Sequence, residues 1–280
     1  MANGSCLCGA VRWRVETPFE RMTHCHCSMC RKAHGAAFAT YATVAEDRFE
    51  WLSGEGEITR YESSPGFHRG FCSRCGSVVP DRANGMVFTP AGCLDDDSGV
   101  RPSAHIFFAD RVPWHLVEDD LPRSDAYGAD VDLPVIARQQ SAAATPGVLR
   151  GSCLCGAVAF EVTGPLKGAH NCHCSRCRKG RAAAHASNAF TSIDGARFVR
   201  GEDHVVTYKV PEARFFAVAF CDTCGSGVLR HDPVRGIAVI PMGALDDDPG
   251  RGADDHIFVG SKAPWYEITD DLPQFEEGAS

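Results

Sequence analysis

Cys25-His26-Cys27-Ser28-Met29-Cys30 places three thiols within six residues, and the same spacing returns as Cys172-His173-Cys174-Ser175-Arg176-Cys177. Zinc in structural sites is closed by four protein ligands, whereas catalytic zinc keeps three and leaves one position for water or substrate. A Cys-x-Cys-x-x-Cys run therefore stops one ligand short of a closed tetrahedron. Its recurrence carries a second message, that the chain contains a duplication.

Outward from these clusters the duplication extends along the chain. Cys6-Leu7-Cys8-Gly9-Ala10-Val11 recurs as Cys153-Leu154-Cys155-Gly156-Ala157-Val158 at the same offset of 147 residues. Cys72-Ser73-Arg74-Cys75-Gly76-Ser77 recurs as Cys221-Asp222-Thr223-Cys224-Gly225-Ser226 at 149, and Pro113-Trp114 as Pro264-Trp265 at 151. Small loop insertions account for the drift. Units this long are duplicated domains, since solenoid repeats run nearer 20 to 50 residues. The expected division is a first zinc domain over 1–135, a linker over 136–147 and a second zinc domain over 148–280. Ser141-Ala142-Ala143-Ala144-Thr145-Pro146-Gly147 has the small residues and turn formers of a linker. Leu133, Val135 and Ile136 retain enough apolar surface to pack on a domain.

Within each unit the pattern is mostly strand. Val11, Trp13 and Val15 alternate with Arg12 and Arg14, and Val158, Phe160 and Val162 alternate with Ala159 and Glu161, the period of a half-buried strand. Asn84-Gly85 between Val78-Val79 and Met86-Val87-Phe88 predicts a hairpin, as does Asp232-Pro233-Val234-Arg235-Gly236 in the second unit. No long amphipathic helix is apparent. The expected class is all-β, with small antiparallel sheets pinned by metal.

Cys6-x-Cys8 and Cys72-x-x-Cys75 offer four thiols in the first unit, matched by Cys153, Cys155, Cys221 and Cys224 in the second. Neither pair closes a tetrahedral site alone, and zinc favours four soft ligands in structural sites. Alternating residues of a flat strand point to opposite faces, so two sulfurs at i and i+2 need a turn, which Gly9 and Gly156 permit. Such a site would tie the first strand to a distant hairpin and contribute folding free energy.

The three-thiol clusters are the candidate active sites. A zinc held there accepts water, a substrate thiolate or a carbonyl oxygen in its fourth position. Arg31-Lys32 and Arg178-Lys179 follow the clusters; they either favour thiolates and hold substrate carboxylates, or are ordinary surface charge. The competing reading is a closed site with a fourth ligand from elsewhere. His26 and His173 are wedged between ligands and are expected to point away, while His24 and His34 have no counterparts at the aligned positions. Cys93, the eighth thiol of the first unit, aligns with Ala244 and cannot serve both sites. His105 and His256 open matching His-Ile-Phe segments and read as satisfied structural histidines, with proton transfer as the alternative. Asp95-Asp96-Asp97 and Asp246-Asp247-Asp248 read as solvated loops, and Trp114 and Trp265 as core.

Bulk properties narrow the class. The formal charge is −8, with 14 basic and 19 acidic residues up to residue 147 and 14 and 17 after it. Neither unit is a basic module, which argues against sequence-independent nucleic-acid binding. No apolar run approaches about 18 residues, so no membrane-spanning helix is expected. The start, Met1-Ala2-Asn3-Gly4-Ser5-Cys6, lacks the basic and apolar regions of a secretory signal. With 15 clustered cysteines, an odd number, the expectation is a cytoplasmic metal-binding protein and not a disulfide framework.

The combination of Cys-x-Cys-Gly-Ala-Val, Cys-His-Cys-Ser-x-Cys-Arg-Lys, Cys-x-x-Cys-Gly-Ser and the segment from His256 to Phe275 resembles the glutathione-dependent formaldehyde-activating enzyme family, which shares its domain with centromere protein V. The resemblance covers nearly the whole chain, twice. It implies a β-tent fold in each domain and two zinc ions per domain, four per chain. It assigns Cys6, Cys8, Cys72 and Cys75 as structural ligands and Cys25, Cys27 and Cys30 as catalytic-zinc ligands in the first domain. Cys153, Cys155, Cys221 and Cys224, and Cys172, Cys174 and Cys177, take those roles in the second. The implied activity is that of a carbon–sulfur lyase resembling S-(hydroxymethyl)glutathione synthase, acting on glutathione or another small thiol and an aldehyde; the alternative is a non-catalytic zinc module for protein interaction. The expected partner is a small thiol, with no nucleic acid and no membrane, and the two domains can pair within the chain. Two departures bear on substrate choice: Ala109 to His115 differs from Gly260 to Tyr266, and Arg181 stands opposite His34.

Overall fold

The computed structural model describes residues 1–127 and 145–278, so the expected linker falls largely outside the described residues. In the first half β1 (Ala2–Ser5), β2 (Arg12–Val15) and β5 (Phe49–Ser53) form a three-stranded sheet. A second sheet has the order β10-β3-β4-β9-β8, from β3 (Arg21–Cys25), β4 (Ala39–Ala45), β8 (Asp81–Ala83), β9 (Met86–Pro90) and β10 (His105–Ile106). A separate hairpin pairs β6 (Ile58–Ser64) with β7 (Phe67–Cys72), and α1 (Ser28–His34) follows β3 directly.

The second half repeats this plan. β11 (Leu149–Ser152), β12 (Ala159–Val162) and β15 (Ala196–Arg200) form its small sheet, and β16 (Val205–Lys209) pairs with β17 (Ala217–Cys221). Its larger sheet runs β18-β19-β14-β13-β20-β21, from β13 (Gly168–Cys172), β14 (Ala186–Ser192), β18 (Arg230–Asp232), β19 (Ile237–Pro241), β20 (Asp255–Ile257) and β21 (Gln274–Phe275). Helix α2 (Ser175–Arg181) stands where α1 does. The protein is thus mostly β, built twice from small sheets. Most pairings are antiparallel as expected, but β3–β10, β13–β20 and β20–β21 are parallel. No helix among the described residues is long and apolar enough to cross a membrane.

The hairpin expected at Asn84-Gly85 joins β8 to β9, with both turn residues at positive φ, 52° and 72°. That is the backbone of a two-residue turn that continues strand twist. The two helices had no signature in the sequence because seven residues are too few to display a period. They are made by their caps: Cys27 Sγ accepts the Cys30 N–H, and the Gly35 N–H reaches the Arg31 and Lys32 carbonyls from the left-handed region. Cys174 caps α2 in the same way, and Ala182 takes the left-handed position with φ 51°.

One core crosses both halves, joining Trp13, Val44 and Leu94 to Phe160, Ile240 and Trp265. Gly76 and Gly225 show how closely the halves meet. Each has φ near 70°, and a Cβ on either would lie 2.4 Å from the ring of Phe220 or Phe71 in the opposite half. Gly92 and Gly243 abut the ends of the opposite helices, where a Cβ would fall 2.2 Å and 2.3 Å from the backbone nitrogens of Ala183 and Ala36. Polar contacts complete the seam. Arg31 Nη1 donates to the Gly243 and Leu245 carbonyls at 2.7 Å, Lys32 pairs with Asp246 at 2.6 Å, and Lys179 pairs with Asp95. Arg31-Lys32 therefore belongs to the interface, with Arg31 buried and Lys32 half-buried, and the first aspartate of each acidic run pairs across the seam while Asp95, Asp96 and Asp97 remain exposed.

Candidate metal centres and cavity

The fold gathers the cysteines into four groups, in each of which all sulfurs lie within 4.8 Å of one another. Two hold four thiols: Cys6, Cys8, Cys72 and Cys75, and Cys153, Cys155, Cys221 and Cys224. Cys-x-Cys comes from the turn after the first strand, and Cys-x-x-Cys from the end of the β6–β7 or β16–β17 hairpin. Sγ of Cys6 lies 3.4 Å from that of Cys8, which lies 3.7 Å from Cys72. The matching separations in the second half are 3.4 Å and 3.8 Å. With zinc–sulfur bonds of about 2.3 Å a tetrahedron has edges of about 3.8 Å, so this donor set fits zinc. Backbone N–H groups of Val11 and Val158 donate to Cys6 and Cys153, and Ser77 and Ser226 accept from Leu7 and Leu154 N–H, which fixes each Cys-x-Cys turn against its partner.

The other two groups hold three thiols: Cys25, Cys27 and Cys30, and Cys172, Cys174 and Cys177. Each is built at a strand end running into a helix, with the Cys27 or Cys174 sulfur accepting the N–H of Cys30 or Cys177 at 3.4 Å. These trios supply three of four tetrahedral donors. No histidine joins either group among the described residues. Cys93 belongs to no group; its buried thiol donates to the Val78 and Lys179 carbonyls, and burial pushes it up to about 12. All 15 cysteines are free thiols.

Behind the trios lie histidines whose partners settle their roles. His105 Nε2 donates to Asp119 at 2.9 Å, which leaves Nδ1 as acceptor for His26 Nε2–H at 2.8 Å. His173, His256 and Asp270 repeat the arrangement at 2.8 Å and 3.0 Å. Both nitrogens of His105 and His256 are thus engaged in holding the residue next to the first ligand. Burial drives His26 and His173 down to about 3 and His34 to about 4, so all three are neutral at pH 7.

The surroundings of the trios differ. Cys25, Cys27 and Cys30 line a cavity of about 1070 Å³ whose other walls include Tyr41, Phe67, Arg69, Phe107 and Tyr127 of the first half and Leu154, Val199 and Arg200 of the second. Both terminal nitrogens of Arg69 lie 3.6 Å from Cys30 Sγ. Hydrogen bonds from Cys25 and Cys27, then the Arg69 charge, hold the Cys30 thiol well below its ordinary value. His34 Nδ1–H donates to the Arg181 carbonyl at 2.9 Å, so its Nε2 accepts from Tyr41 O–H at 2.8 Å, and burial raises the Tyr41 pKa. In the second half Phe216 and Ile257 pack against Cys172 and Cys177. Sequence reading singled out neither Arg69 nor Tyr41. The available signal was a break in the repeat: Tyr61 faces Arg69 across one hairpin and Tyr208 faces Val218 across the other, while Tyr41 and Asn188 sit opposite the prolines that end β9 and β19.

Comparison with known protein families agrees with the duplication. The family model described as glutathione-dependent formaldehyde-activating enzyme matches residues 1–110 and again residues 148–261. A Halomonas elongata protein named after the same activity is 33% identical over 130 residues, 42% of this chain and 82% of the relative. A crystal structure of a Rhodobacter sphaeroides protein matches at 27% identity and a TM-score of 0.30, covering 37% of this chain and 98% of that one.

Proposed function

The chain belongs to the glutathione-dependent formaldehyde-activating enzyme family, and from that premise we propose that it joins a small thiol, glutathione, to formaldehyde in a zinc-dependent reaction of the carbon–sulfur lyase type. In the bond-forming direction the thiol sulfur attacks the carbonyl carbon, the C–O double bond becomes a single bond, and the thiol proton ends on the oxygen as S-hydroxymethylglutathione. The observation that carries this reading is a three-thiol group set in the wall of a large cavity while a four-thiol group stands elsewhere in the same half. Cys25, Cys27 and Cys30 would hold the catalytic zinc, and the four-thiol groups would hold structural zinc. Zinc in such a site supplies Lewis acidity, lowering the pKa of a thiol and polarising a carbonyl.

The chain's own groups do the rest. Phe107, Tyr127 and Met29 pack beside the trio and limit water around the reacting atoms. The His26–His105–Asp119 chain fixes the backbone between Cys25 and Cys27, so the ligands are preorganised. Holding thiol and aldehyde together replaces a bimolecular encounter with an oriented one. The test is adduct formation from glutathione and formaldehyde, followed by NMR above the spontaneous rate. Wild type is expected to accelerate it, and Cys25→Ser to lose at least about a hundredfold while retaining its fold. Equal rates with and without protein would reject the enzyme reading in favour of an interaction module.

A further inference from the structure

The two trios have the same cysteines and unlike neighbours. Arg69 reaches Cys30 with Nη1 and Nη2, and its Nε has no hydrogen-bond partner among the described residues. No carboxylate pairs with it among the described residues, in contrast to Lys32 with Asp246 and Arg150 with Asp247, the two cations of which border the same cavity. A guanidinium carries five N–H donors in a planar fork. With two of them directed at the sulfur and Nε–H buried, the remaining Nη hydrogens are the donors left at the cavity wall for a carboxylate.

In the second half that position is Val218, and Asn188 replaces Tyr41. The second half does contain a buried guanidinium near its trio, Arg181, but it is turned inward. It lies against Gly227 and Gly35 and points one nitrogen at Asn188 Oδ1, 3.4 Å away. Phe216 and Leu7 come within 4 Å of the Gly180 Cβ position, close beside this trio. The first cavity, by comparison, draws walls from both halves, with Leu154, Val199 and Arg200 facing the first half's trio.

We propose that the chain takes one acidic thiol, a thiol that also bears a carboxylate, at the trio of the first half, and that Arg69 selects it by binding that carboxylate. The second half contributes cavity wall and no second binding site of this kind. This rests on the thiol-binding role proposed above and narrows it to one half and one ligand class.

The experiment is calorimetric titration of the zinc-loaded full chain, wild type and Arg69→Leu, with glutathione, mercaptoacetate and the neutral mercaptoethanol, with zinc content measured alongside. The expected result is one glutathione per chain, at least about tenfold weaker binding of both acidic thiols to Arg69→Leu, less than about threefold change for mercaptoethanol, and unchanged zinc. Arg69→Lys, which keeps the charge without the fork, should fall between. Two glutathiones per wild-type chain would overturn the proposal without using a variant. So would equal losses for acidic and neutral thiols, which would make Arg69 a support of the trio alone. Arg69-dependent binding of mercaptoacetate without glutathione binding would uphold the proposal and reject glutathione as the substrate. Binding of neither acidic thiol overturns it, even if turnover of a neutral thiol shows that the reaction itself stands.

Discussion

The first and second halves keep seven cysteines in the same arrangement and differ in what stands beside three of them. Around the four-thiol groups even the supporting contacts are duplicated: Val11 and Val158 N–H on the first sulfur, Ser77 and Ser226 under the turn. Around the three-thiol groups the helix caps and histidine chains are duplicated as well, and the duplication stops at other neighbouring side chains. Arg69 becomes Val218, Tyr41 becomes Asn188, His34 becomes Arg181 and Phe38 becomes His185. Groups that hold the fold together are constrained in both copies, because each half is part of one continuous core. The walls of one cavity are free to diverge once the other copy serves as its frame.

That symmetry of frame is most severely tested at the four-thiol groups. Cys72→Ser and Cys221→Ser are expected to destabilise the chain equally and by several kcal/mol, in a single cooperative thermal transition. Circular dichroism would show it; two transitions, one unmoved by either substitution, would mean that the halves fold independently. Next come Gly76→Ala and Gly225→Ala. Each forces an L-residue to φ near 70° and drives a Cβ into the ring of Phe220 or Phe71, so each should cost about 2 kcal/mol or more in a urea titration. Unequal costs would show that the seam is less symmetric than its geometry.

A smaller effect separates the halves by pH. Burial holds His24 and His185 well below the ordinary 6.5 and His115 at about 4, so the folded chain keeps them neutral. Between these values and 6.5 the unfolded chain binds more protons than the folded one. Stability is therefore full above about pH 6.5 and is lost as pH falls towards the folded pKa values, by about 1 kcal/mol per histidine between pH 7.5 and 5.5. Protonation of the thiols adds a loss of the same sign. His185→Phe, which restores the first half's residue and removes a buried Nε2 without a partner, should reduce the fall by about 1 kcal/mol. An unchanged slope of urea midpoint against pH would show that His185 is already charged in the folded state.

Much of this was legible in the sequence, for identifiable reasons. Strand alternation at Trp13 and Phe160 and turn chemistry at Asn84-Gly85 are local signals, and cysteine spacing is a signal that duplication amplifies. The helices at Ser28 and Ser175 are held by cysteine caps and tertiary packing, so propensity did not mark them. The Lys32–Asp246 and Lys179–Asp95 pairs join residues far apart in the chain, which no local reading connects. Arg69 sits in Phe67-His68-Arg69, an unremarked strand; only folding brings β7 over the trio at the end of β3.

The most direct test of the whole account is cadmium NMR of the full chain with cadmium in place of zinc, before and after glutathione. Four resonances are expected, two from four-thiol and two from three-thiol sites, with glutathione moving one of the latter pair and Arg69→Leu abolishing that movement. Movement of both three-thiol resonances, or of neither, would contradict an account in which a duplicated metal frame supports a single thiol-binding site.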